Sequence, residues 1–258
     1  MLTFKNVNII TRALLLIFAL LKVLNYISIL WLFVIGLVWL TLTIFGSFHI
    51  RWNYFLMAEH HNYQVKENAI ALTFDDGPNK EFTPKVLALL EKFNAKATFF
   101  LIGNQIEENQ ELVNEIIAKG HTIGNHTFSH TSNFGFLKTK DVILDLEKNT
   151  VLVEQLFQLK MKLFRPAFGV TNPRISKAVK KLNLATFGWS VRSLDTTKDS
   201  KEKIVARLTN NIKRGDVVLL HDTSQKSVEV LEQFLVFLEN NKIQTLTIDQ
   251  LFNTPAYA

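Results

Sequence analysis

Two histidines stand four residues apart in the stretch H-T-F-S-H that runs from His126 to His130. On a helical turn this spacing places both imidazoles on one side, within reach of a single cation. Asp76 can supply a carboxylate as the third ligand, and such a set suits zinc or a neighbouring divalent metal. A catalytic site of this kind keeps positions open for water and substrate. The histidine pair alone is equally compatible with two surface side chains on an irregular segment.

Asp75 and Asp76 are adjacent carboxylates in the stretch T-F-D-D-G-P, which begins at Thr73. An apolar strand is predicted directly before them, and side-chain alternation along a strand sends neighbouring residues in different directions. The two carboxylates can therefore have different roles. Without that strand, two acids before Gly-Pro would indicate an ordinary loop.

Two further polar residues end predicted strands. Arg165 opens the stretch R-P-A-F-G, where it could hold a buried carboxylate, and the constrained turn after it could aim a backbone N–H at a developing oxyanion. His221 closes the stretch L-L-H before Asp222 and could donate a proton to a leaving amine. The structural alternatives are an exposed arginine in a loop and a hydrogen-bonded histidine at a strand end.

The elements that position these residues begin near Glu67, where short apolar runs start to alternate with amphipathic segments. This alternation is typical of βα units around a mostly parallel sheet. In a β/α barrel the carboxyl ends of the strands converge on one face, so polar residues at those ends should share one site. Asp195, which follows the fifth predicted strand, is expected to belong to this site as well. Seven strands are predicted, over residues 69–74, 97–102, 121–125, 162–165, 185–189, 216–220 and 243–247.

Amphipathic helices are predicted between these strands. The clearest one begins with Thr83 as its N-cap and Pro84 at the first helical position. The other helices are expected over residues 110–119, 139–158, 173–181, 201–213 and 227–240.

Together and in this order, the four stretches resemble the polysaccharide deacetylase family, also called the NodB-homology or carbohydrate esterase deacetylases. The resemblance covers roughly residues 67 to 250 and includes the T-F-D-D-G-P, H-(S/T)-x-x-H, R-P-x-(Y/F)-G and L-x-H motifs of that family. It implies an α/β fold, a distorted (β/α)7 barrel, which agrees with the seven predicted strands.

The resemblance also implies how the cation and the attacking water are handled. Asp75 would be the general base that activates the water, and Arg165 would pair with Asp75 and hold it ionised. A divalent metal would be bound, usually Zn²⁺ in this family, with Co²⁺, Ni²⁺ or Mn²⁺ as possible replacements. The implied metal ligands are Asp76, His126 and His130.

The remaining roles implied by the resemblance concern the substrate. The backbone N–H of Phe168 would help to stabilise the tetrahedral oxyanion, and His221 would protonate the departing amine. Trp189 and Leu219 would form the apolar slot for the acetyl methyl group.

The fourth family motif departs from its usual form. It commonly reads W-S-x-D-x-x-D-W, whereas this chain has W-S-V-R-S-L-D-T from Trp189, so that Arg192 replaces the first acid and Thr196 the closing tryptophan. In the family this region tunes the catalytic histidine and shapes the sugar groove. Asp195 is expected to take over the orienting role toward His221.

The N-terminal fifth of the chain has a different character. Residues 23–47 contain no Lys, Arg, Asp, Glu or His, and residues 28–47 are long enough to cross a bilayer as a helix. A shorter apolar run, residues 13–21, is either a first span or an interfacial helix. A cleaved signal peptide is the alternative, but no small-x-small cleavage pattern follows the first run. The predicted organisation is a membrane anchor over residues 1–50, a juxtamembrane linker over 51–66 and a catalytic domain over 67–252.

Charge and composition narrow the function further. The formal net charge is +6, but residues 1 to 51 hold four basic residues (Lys5, Arg12, Lys22 and Arg51) and no acid, which leaves +2 for the remainder. The excess positive charge flanks the membrane segment, so it gives no argument for binding nucleic acid. The chain has no cysteine, which excludes disulfides and thiolate metal sites.

Three functions are compatible with these features. The first is hydrolysis of the N-acetyl amide of N-acetylglucosamine-type residues in an envelope polysaccharide such as peptidoglycan or a chitin-like glycan. The second is the same reaction on a lipid-linked amino sugar, and the third is an inactive glycan-binding module.

With one span the positive-inside rule exports the domain, and with two spans it places both ends inside. The resemblance favours a catalytic domain outside the cytoplasmic membrane.

Overall fold

The computed structural model describes residues 2–258, and its centre is a parallel β-sheet. Every ladder between its strands is parallel, and seven strands follow the order β5-β4-β3-β2-β1-β7-β6, with β8 beside the start of β1. The strands are β1 (Ala69–Gly77), β2 (Thr98–Leu101), β3 (Thr122–Asn125), β4 (Leu163–Phe164), β5 (Ala185–Thr186), β6 (Val191–Arg192), β7 (Val217–His221) and β8 (Gln244–Leu246).

The sheet confirms the predicted α/β class and its curled, barrel-like form. Each predicted strand is present, and the structure adds β6, which is only two residues long and therefore too short to show a periodic pattern. Within the described residues β5 and β6 do not pair with each other, so the sheet is an open half-barrel.

The described part of the chain has ten α-helices, of which the first two form an exposed hairpin and the other eight flank the sheet. Those predicted from sequence are present, although the helix expected over 201–213 ends at Thr209. They are α1 (Phe4–Val23), α2 (Leu30–Phe48), α3 (Thr83–Lys92), α4 (Gly103–Glu108), α5 (Gln110–Ala118), α6 (Thr139–Phe157), α7 (Pro173–Leu182), α8 (Lys201–Thr209), α9 (Gln225–Asn240) and α10 (Ile248–Phe252).

The predicted cap of α3 is wrong. The helix begins at Thr83 with Phe82 as the N-cap residue, and no side chain caps it. Thr83 is completely buried, and its hydroxyl donates a hydrogen bond to the carboxylate of Asp222. A capping hydroxyl would accept a hydrogen bond from an N–H of the first turn, whereas the Thr83 oxygen accepts one from the N–H of Asn79 at 2.7 Å and directs its proton to Asp222.

The central strand β1 explains why the sheet is buried on both faces. Ile70, Leu72 and Phe74 point into a cluster beneath the outer helices, whereas Ala71 belongs to a second cluster inside the half-barrel with Phe100. Since side chains alternate along a strand, one continuous apolar run fills both layers. The polar residues at the carboxyl end of β1 are therefore held on a rigid support.

The two N-terminal helices, α1 and α2, form a hairpin whose surface is largely exposed. Both are long and apolar enough to cross a membrane, and only 6% of each 18-residue apolar window is buried. At about 1.5 Å per residue, helices of 20 and 19 residues span about 30 Å. Helix α1 is longer than the apolar run 13–21 because it begins at Phe4, where the side chain of Thr3 accepts a hydrogen bond from the N–H of Asn6.

The segment between α2 and β1 contacts the sheet next to β5, at one edge, and at the start of β7. Glu59 pairs with Phe187 just after β5, and the N–H of Asn62 donates to the carbonyl of Gly215 just before β7. Ala58 is completely buried. The segment predicted as a linker therefore lies along the gap of the half-barrel, a role that depends on backbone contacts and leaves no periodic pattern in the sequence.

Replacing Gly215 with alanine tests the contact that this segment makes. Gly215 has φ +83°, and a Cβ there would lie 2.0 Å from the carbonyl oxygen of Asn62. Gly120→Ala is the matched control, since its φ is +74° but its Cβ would meet only the flexible end of Lys96. The left-handed backbone should cost both variants about 1 kcal/mol, and overpacking should cost Gly215→Ala about 1–3 kcal/mol more. Urea denaturation measures the free energy of unfolding of both variants. Equal losses of stability in Gly215→Ala and Gly120→Ala would contradict the role assigned to the segment.

Candidate metal centre and its surroundings

A bulge at the end of β1 separates the two adjacent aspartates. Asp75 lies opposite Phe100 of β2, but the next paired residue is Gly77, so Asp76 is an extra residue in the ladder. Its φ of +73° is left-handed. Asp75 turns into the interior, where it is 4% exposed, and the side chain of Asp76 remains 31% exposed. The bulge, in addition to strand alternation, is what aims the two carboxylates at different targets.

The three residues predicted as metal ligands lie together. Oδ1 of Asp76 is 3.3 Å from Nε2 of His126 and 3.3 Å from Nε2 of His130. The ligand atoms of all three are within 4.8 Å of one another. Nε2 of His130 is buried and has no hydrogen-bond partner within residues 2–258, despite its proximity to Asp76. A divalent cation fits this set, because it would satisfy that nitrogen and take one carboxylate and two imidazole ligands.

Hydrogen bonds fix the orientation of the histidines. Nδ1 of His126 lies 2.8 Å from the carbonyl oxygen of Arg165 and donates to it, which leaves the lone pair of Nε2 facing the centre. The N–H of His130 donates to the hydroxyl of Thr127 at 3.1 Å. Both Thr127 and His130 have left-handed φ, of +70° and +45°. The two imidazoles are thus presented by a tight irregular turn and not by a helix.

Two residues of α6 hold this turn, and sequence reasoning missed them. Asp145 accepts hydrogen bonds from the N–H groups of Phe128 (2.7 Å) and Ser129 (3.2 Å). Asn149, completely buried, donates to the carbonyl of Thr127 at 2.7 Å. One sequence feature could have indicated their role. Asp145 and Asn149 are polar, lie four residues apart, and stand on the face of α6 that also carries the buried Leu146.

The histidines around Asp76 keep its carboxyl group ionised. Burial raises the pKa of this carboxyl, but the hydrogen bond with His126 and the charges of three histidines lower it to about 2. Burial and the neighbouring His126 lower the pKa of His130. Burial alone would lower the pKa of His126, yet Asp75 and Asp76 raise it overall. A cation and a proton therefore compete for Nε2 of His126.

Arg165 is the largest completely buried side chain near the centre. Its guanidinium donates to Oδ1 of Asp75 and to the hydroxyl of Thr73, both at 2.8 Å. Nε of the same side chain donates to the carbonyl oxygen of Phe187 at 3.2 Å, and Nη2 donates to that of Gly188 at 2.8 Å. The structure thus brings Arg165 to Asp75 as predicted, and the second oxygen of Asp75 lies 3.9 Å from Nε2 of His126.

His221 is oriented by Asp195. Nδ1 of His221 donates to Oδ1 of Asp195 at 2.7 Å, and the N–H of His221 donates to Oδ2 at 2.9 Å. Nε2 then faces Asp76, 3.8 Å away. Burial lowers the pKa of His221, but its hydrogen bond and charge interaction with Asp195 outweigh this and raise it. The altered fourth motif therefore retains a carboxylate on the histidine, while Arg192 lies over the ring of Trp189 and Thr196 is exposed.

The aromatic residues predicted at the substrate side also meet here. The ring of Phe168 lies 4.6 Å from that of His130, and its backbone has a left-handed φ of +58°. Trp189 packs on Gly169, where a Cβ would lie 2.4 Å from the indole. Leu219 is 2% exposed and belongs to the same apolar cluster as Trp189.

Asp222 adds a buried carboxylate beside the site. Its Oδ2 would lie 2.5 Å from a Cβ on Gly77, so only glycine fits there, and the hydroxyl of Thr83 is its partner. Burial raises the pKa of Asp222 to about 7. The contact joins the start of α3 to the end of β7, and nothing in the sequence indicates it beyond the acid next to His221.

Replacing Asp145 with alanine tests the support of the histidine turn. The variant loses the acceptor for two backbone N–H groups, so the affinity for Zn²⁺ should fall about 10–100-fold, as is usual when outer partners of metal ligands are removed. Glu147→Ala, an exposed change on the same helix, is the control and should leave the affinity unchanged. Competition with a chromophoric chelator measures it, and unchanged affinity in Asp145→Ala would contradict the assignment.

Comparison with known proteins agrees with this geometry. Residues 62–187 match the family model described as polysaccharide deacetylase. A peptidoglycan-N-acetylglucosamine deacetylase of Bacillus cereus is 37% identical over 195 residues, covering 72% of this chain and 88% of that protein.

Solved structures show the same fold. The peptidoglycan N-acetylglucosamine deacetylase Bc1960, in complex with 4-naphthalen-1-yl-N-oxidanyl-benzamide, superposes with a TM-score of 0.72 at 32% identity, covering 78% of this chain and 94% of that one. BA3943 of Bacillus anthracis, a CE4 family pseudoenzyme, has a TM-score of 0.66 at 25% identity and covers 72% of this chain and 66% of its own. By fold, motifs and relatives, the chain belongs to the polysaccharide deacetylase family.

Proposed function

We propose that this chain is a metal-dependent deacetylase that hydrolyses the N-acetyl amide of N-acetylglucosamine-type residues in a cell-envelope glycan such as peptidoglycan, releasing acetate. The observation that carries the proposal is the ligand set of Asp76, His126 and His130 beside two independently held groups, Asp75 on Arg165 and His221 on Asp195. The relatives named as peptidoglycan deacetylases support the substrate class.

Asp76, His126 and His130 would hold the cation, which we take to be Zn²⁺, with Co²⁺, Ni²⁺ and Mn²⁺ as substitutes suited to the same ligands. When bound, such an ion polarises the amide carbonyl and acidifies an attacking water. Asp75 is the proposed general base, because its free oxygen faces the ligand set while Arg165 neutralises the other. It accepts the proton of the water as the oxygen attacks the carbonyl carbon.

His221 is the proposed general acid. The carboxylate of Asp195 fixes its Nδ1–H and leaves Nε2 facing the substrate side, where it gives its proton to the departing amine as the C–N bond breaks. The backbone N–H of Phe168 is proposed to stabilise the oxyanion. Trp189 and Leu219 are proposed to line the slot for the acetyl methyl, since both are apolar and nearly buried.

We propose that residues 1–50 anchor the protein in the cytoplasmic membrane, that residues 51–66 connect the anchor to the sheet, and that residues 67–252 form the catalytic domain outside it. The two apolar helices support the anchor. As a hairpin they place the N-terminus and the domain on one side, which the positive-inside rule alone would put in the cytoplasm, so the exported side is proposed from the wall-active relatives. Membrane lipid and an N-acetylated glycan are then the partners, and no nucleic acid is expected.

Acetate release from a peptidoglycan fragment or a chitooligosaccharide tests the reaction. Asp75→Asn removes the base without changing its size, so kcat should fall about 10²–10⁴-fold, and a chelator should abolish turnover until Zn²⁺ is restored. Asp141→Asn, an exposed change on α6, is the control and should retain full activity. Full activity of Asp75→Asn would contradict the mechanism. Binding of the glycan without turnover in metal-replete protein would instead indicate an inactive binding module, as in a pseudoenzyme.

The pH dependence of kcat tests the pair formed by His221 and Asp195. A general acid must be protonated, and Asp195 raises the pKa of His221, so activity persists to higher pH than a free histidine would allow. Asp195→Asn should therefore lower that pKa and move the alkaline limb of the profile to lower pH. Glu202→Gln, an exposed change on α8, should leave the profile in place. An alkaline limb that does not move in Asp195→Asn would argue against His221 as the acid.

A further inference from the structure

The N-terminal hairpin meets the catalytic part on the same face as the metal centre. The N–H of Thr171 donates to the carbonyl of Ser47 in the last turn of α2, at 2.9 Å. Just beyond α2, the guanidinium of Arg51 donates to the carbonyl of Ser190 at 3.2 Å. Thr171 follows β4, so the contact with Ser47 lies beyond the carboxyl end of a strand, as the centre does. Ser190 directly precedes β6, and its hydroxyl donates to Asp216 just before β7 at 2.8 Å, so the Arg51 contact lies at the amino ends of those two strands.

The distance from the hairpin to the centre is short. Thr171 is three residues from Phe168, whose ring contacts that of His130 at 4.6 Å. Three residues of chain reach at most about 10 Å. The turn that carries the proposed oxyanion donor therefore runs directly from the end of α2 to the mouth of the site.

The junction is packed too closely to act as a loose tether. Tyr54 is 3% exposed, and a Cβ on Gly46 of α2 would lie 2.3 Å from its ring. The carbonyl of Tyr54 also accepts a hydrogen bond from the N–H of Phe4 at the start of α1. Both helices thus contact one buried tyrosine. The carbonyl of the next residue, Phe55, accepts a hydrogen bond from the hydroxyl of Ser176 in α7 at 2.8 Å, which joins this junction to the catalytic part.

Exposed aromatic rings surround this junction. Phe48 at the end of α2 is 66% exposed, Phe136 is 83% exposed and Phe168 is 52% exposed. Phe136 is tied to the same place, because the side chain of Asn172 donates to the carbonyl of Gly135 at 2.7 Å. Large rings exposed beside the end of an apolar helix are suited to the headgroup region of a bilayer.

We infer that the active site works at the lipid–water interface, and that its substrate is an N-acetylated saccharide attached to a membrane lipid. The inference rests on the proposed function and names its substrate class. A site whose neighbouring turn is hydrogen-bonded through Thr171 to the last turn of α2 reaches sugars close to the bilayer. A lipid-linked saccharide shares that surface with the enzyme, so its effective concentration is high, whereas strands deep in a wall do not.

Comparison of two substrates with one enzyme preparation tests this inference. The full chain, reconstituted in liposomes with its metal, is given di-N-acetylchitobiose joined through a diphosphate to a polyprenyl chain in the same bilayer, or the same disaccharide free in solution. We expect kcat/KM for acetate release to be at least about tenfold higher for the lipid-linked form. Equal or faster turnover of the free sugar would overturn the inference and leave the proposed function intact. Absence of turnover with both would contradict the proposed function and the inference with it.

Two matched pairs of variants distinguish the effect of the position of the site at the membrane from a general loss of stability. Gly46→Ala should displace the hairpin from Tyr54, whereas Gly36→Ala changes the same helix where a Cβ meets nothing within 4 Å. Phe136→Ser removes a ring near the junction, and Val236→Ser removes an exposed apolar side chain from α9. Gly46→Ala and Phe136→Ser should lower kcat/KM for the lipid-linked sugar several-fold and leave that for the free disaccharide unchanged.

The controls should match the parent protein on both substrates. Thermal unfolding of each variant identifies any loss that comes from instability alone. Equal losses on the lipid-linked and free sugars in properly folded Gly46→Ala and Phe136→Ser would overturn the interfacial assignment.

Discussion

The buried guanidinium of Arg165 is the interaction on which the arrangement of the site depends. A completely buried charge is tolerated only when it is paired and hydrogen-bonded, and here the partners come from two segments, β1 and the chain just after β5. The side chain holds Asp75, while the carbonyl of the same residue holds the ring of His126. The proposed base and one metal ligand therefore share a single support, and displacement of that support would move both.

Much of the framework could be predicted from sequence, because parallel strands buried on both faces read as apolar runs and their carboxyl ends collect polar residues. Asp76, His126 and His130 were predicted together on this basis, and the structure brings their ligand atoms within 4.8 Å. What escaped prediction depends on contacts between distant segments. Asp145 and Asn149 looked like ordinary positions of an amphipathic helix, since nothing local shows that they bind the histidine turn.

The same limit explains the other differences. Thr83 was assigned as a helix cap because the local sequence has that form, but its partner Asp222 lies 139 residues away. The segment leading into β1 has no pattern because its contacts with Phe187 and Gly215 use the backbone, which carries no sequence signal. Local preference predicts elements well, and it fails where a buried polar group or a sheet edge competes for the same residues.

The left-handed backbone at the site has a consequence for the energetics of the whole protein. Asp76, Thr127, His130 and Phe168 all have positive φ although none is glycine. Each such residue costs roughly 1 kcal/mol or more, which the surrounding core must offset. The site therefore holds energetically unfavourable backbone dihedral angles even without substrate. A cation that ties Asp76 to the histidines would relieve none of the dihedral cost, but it would make the costly conformation the favoured one and so couple occupancy of the centre to the rigidity of the fold.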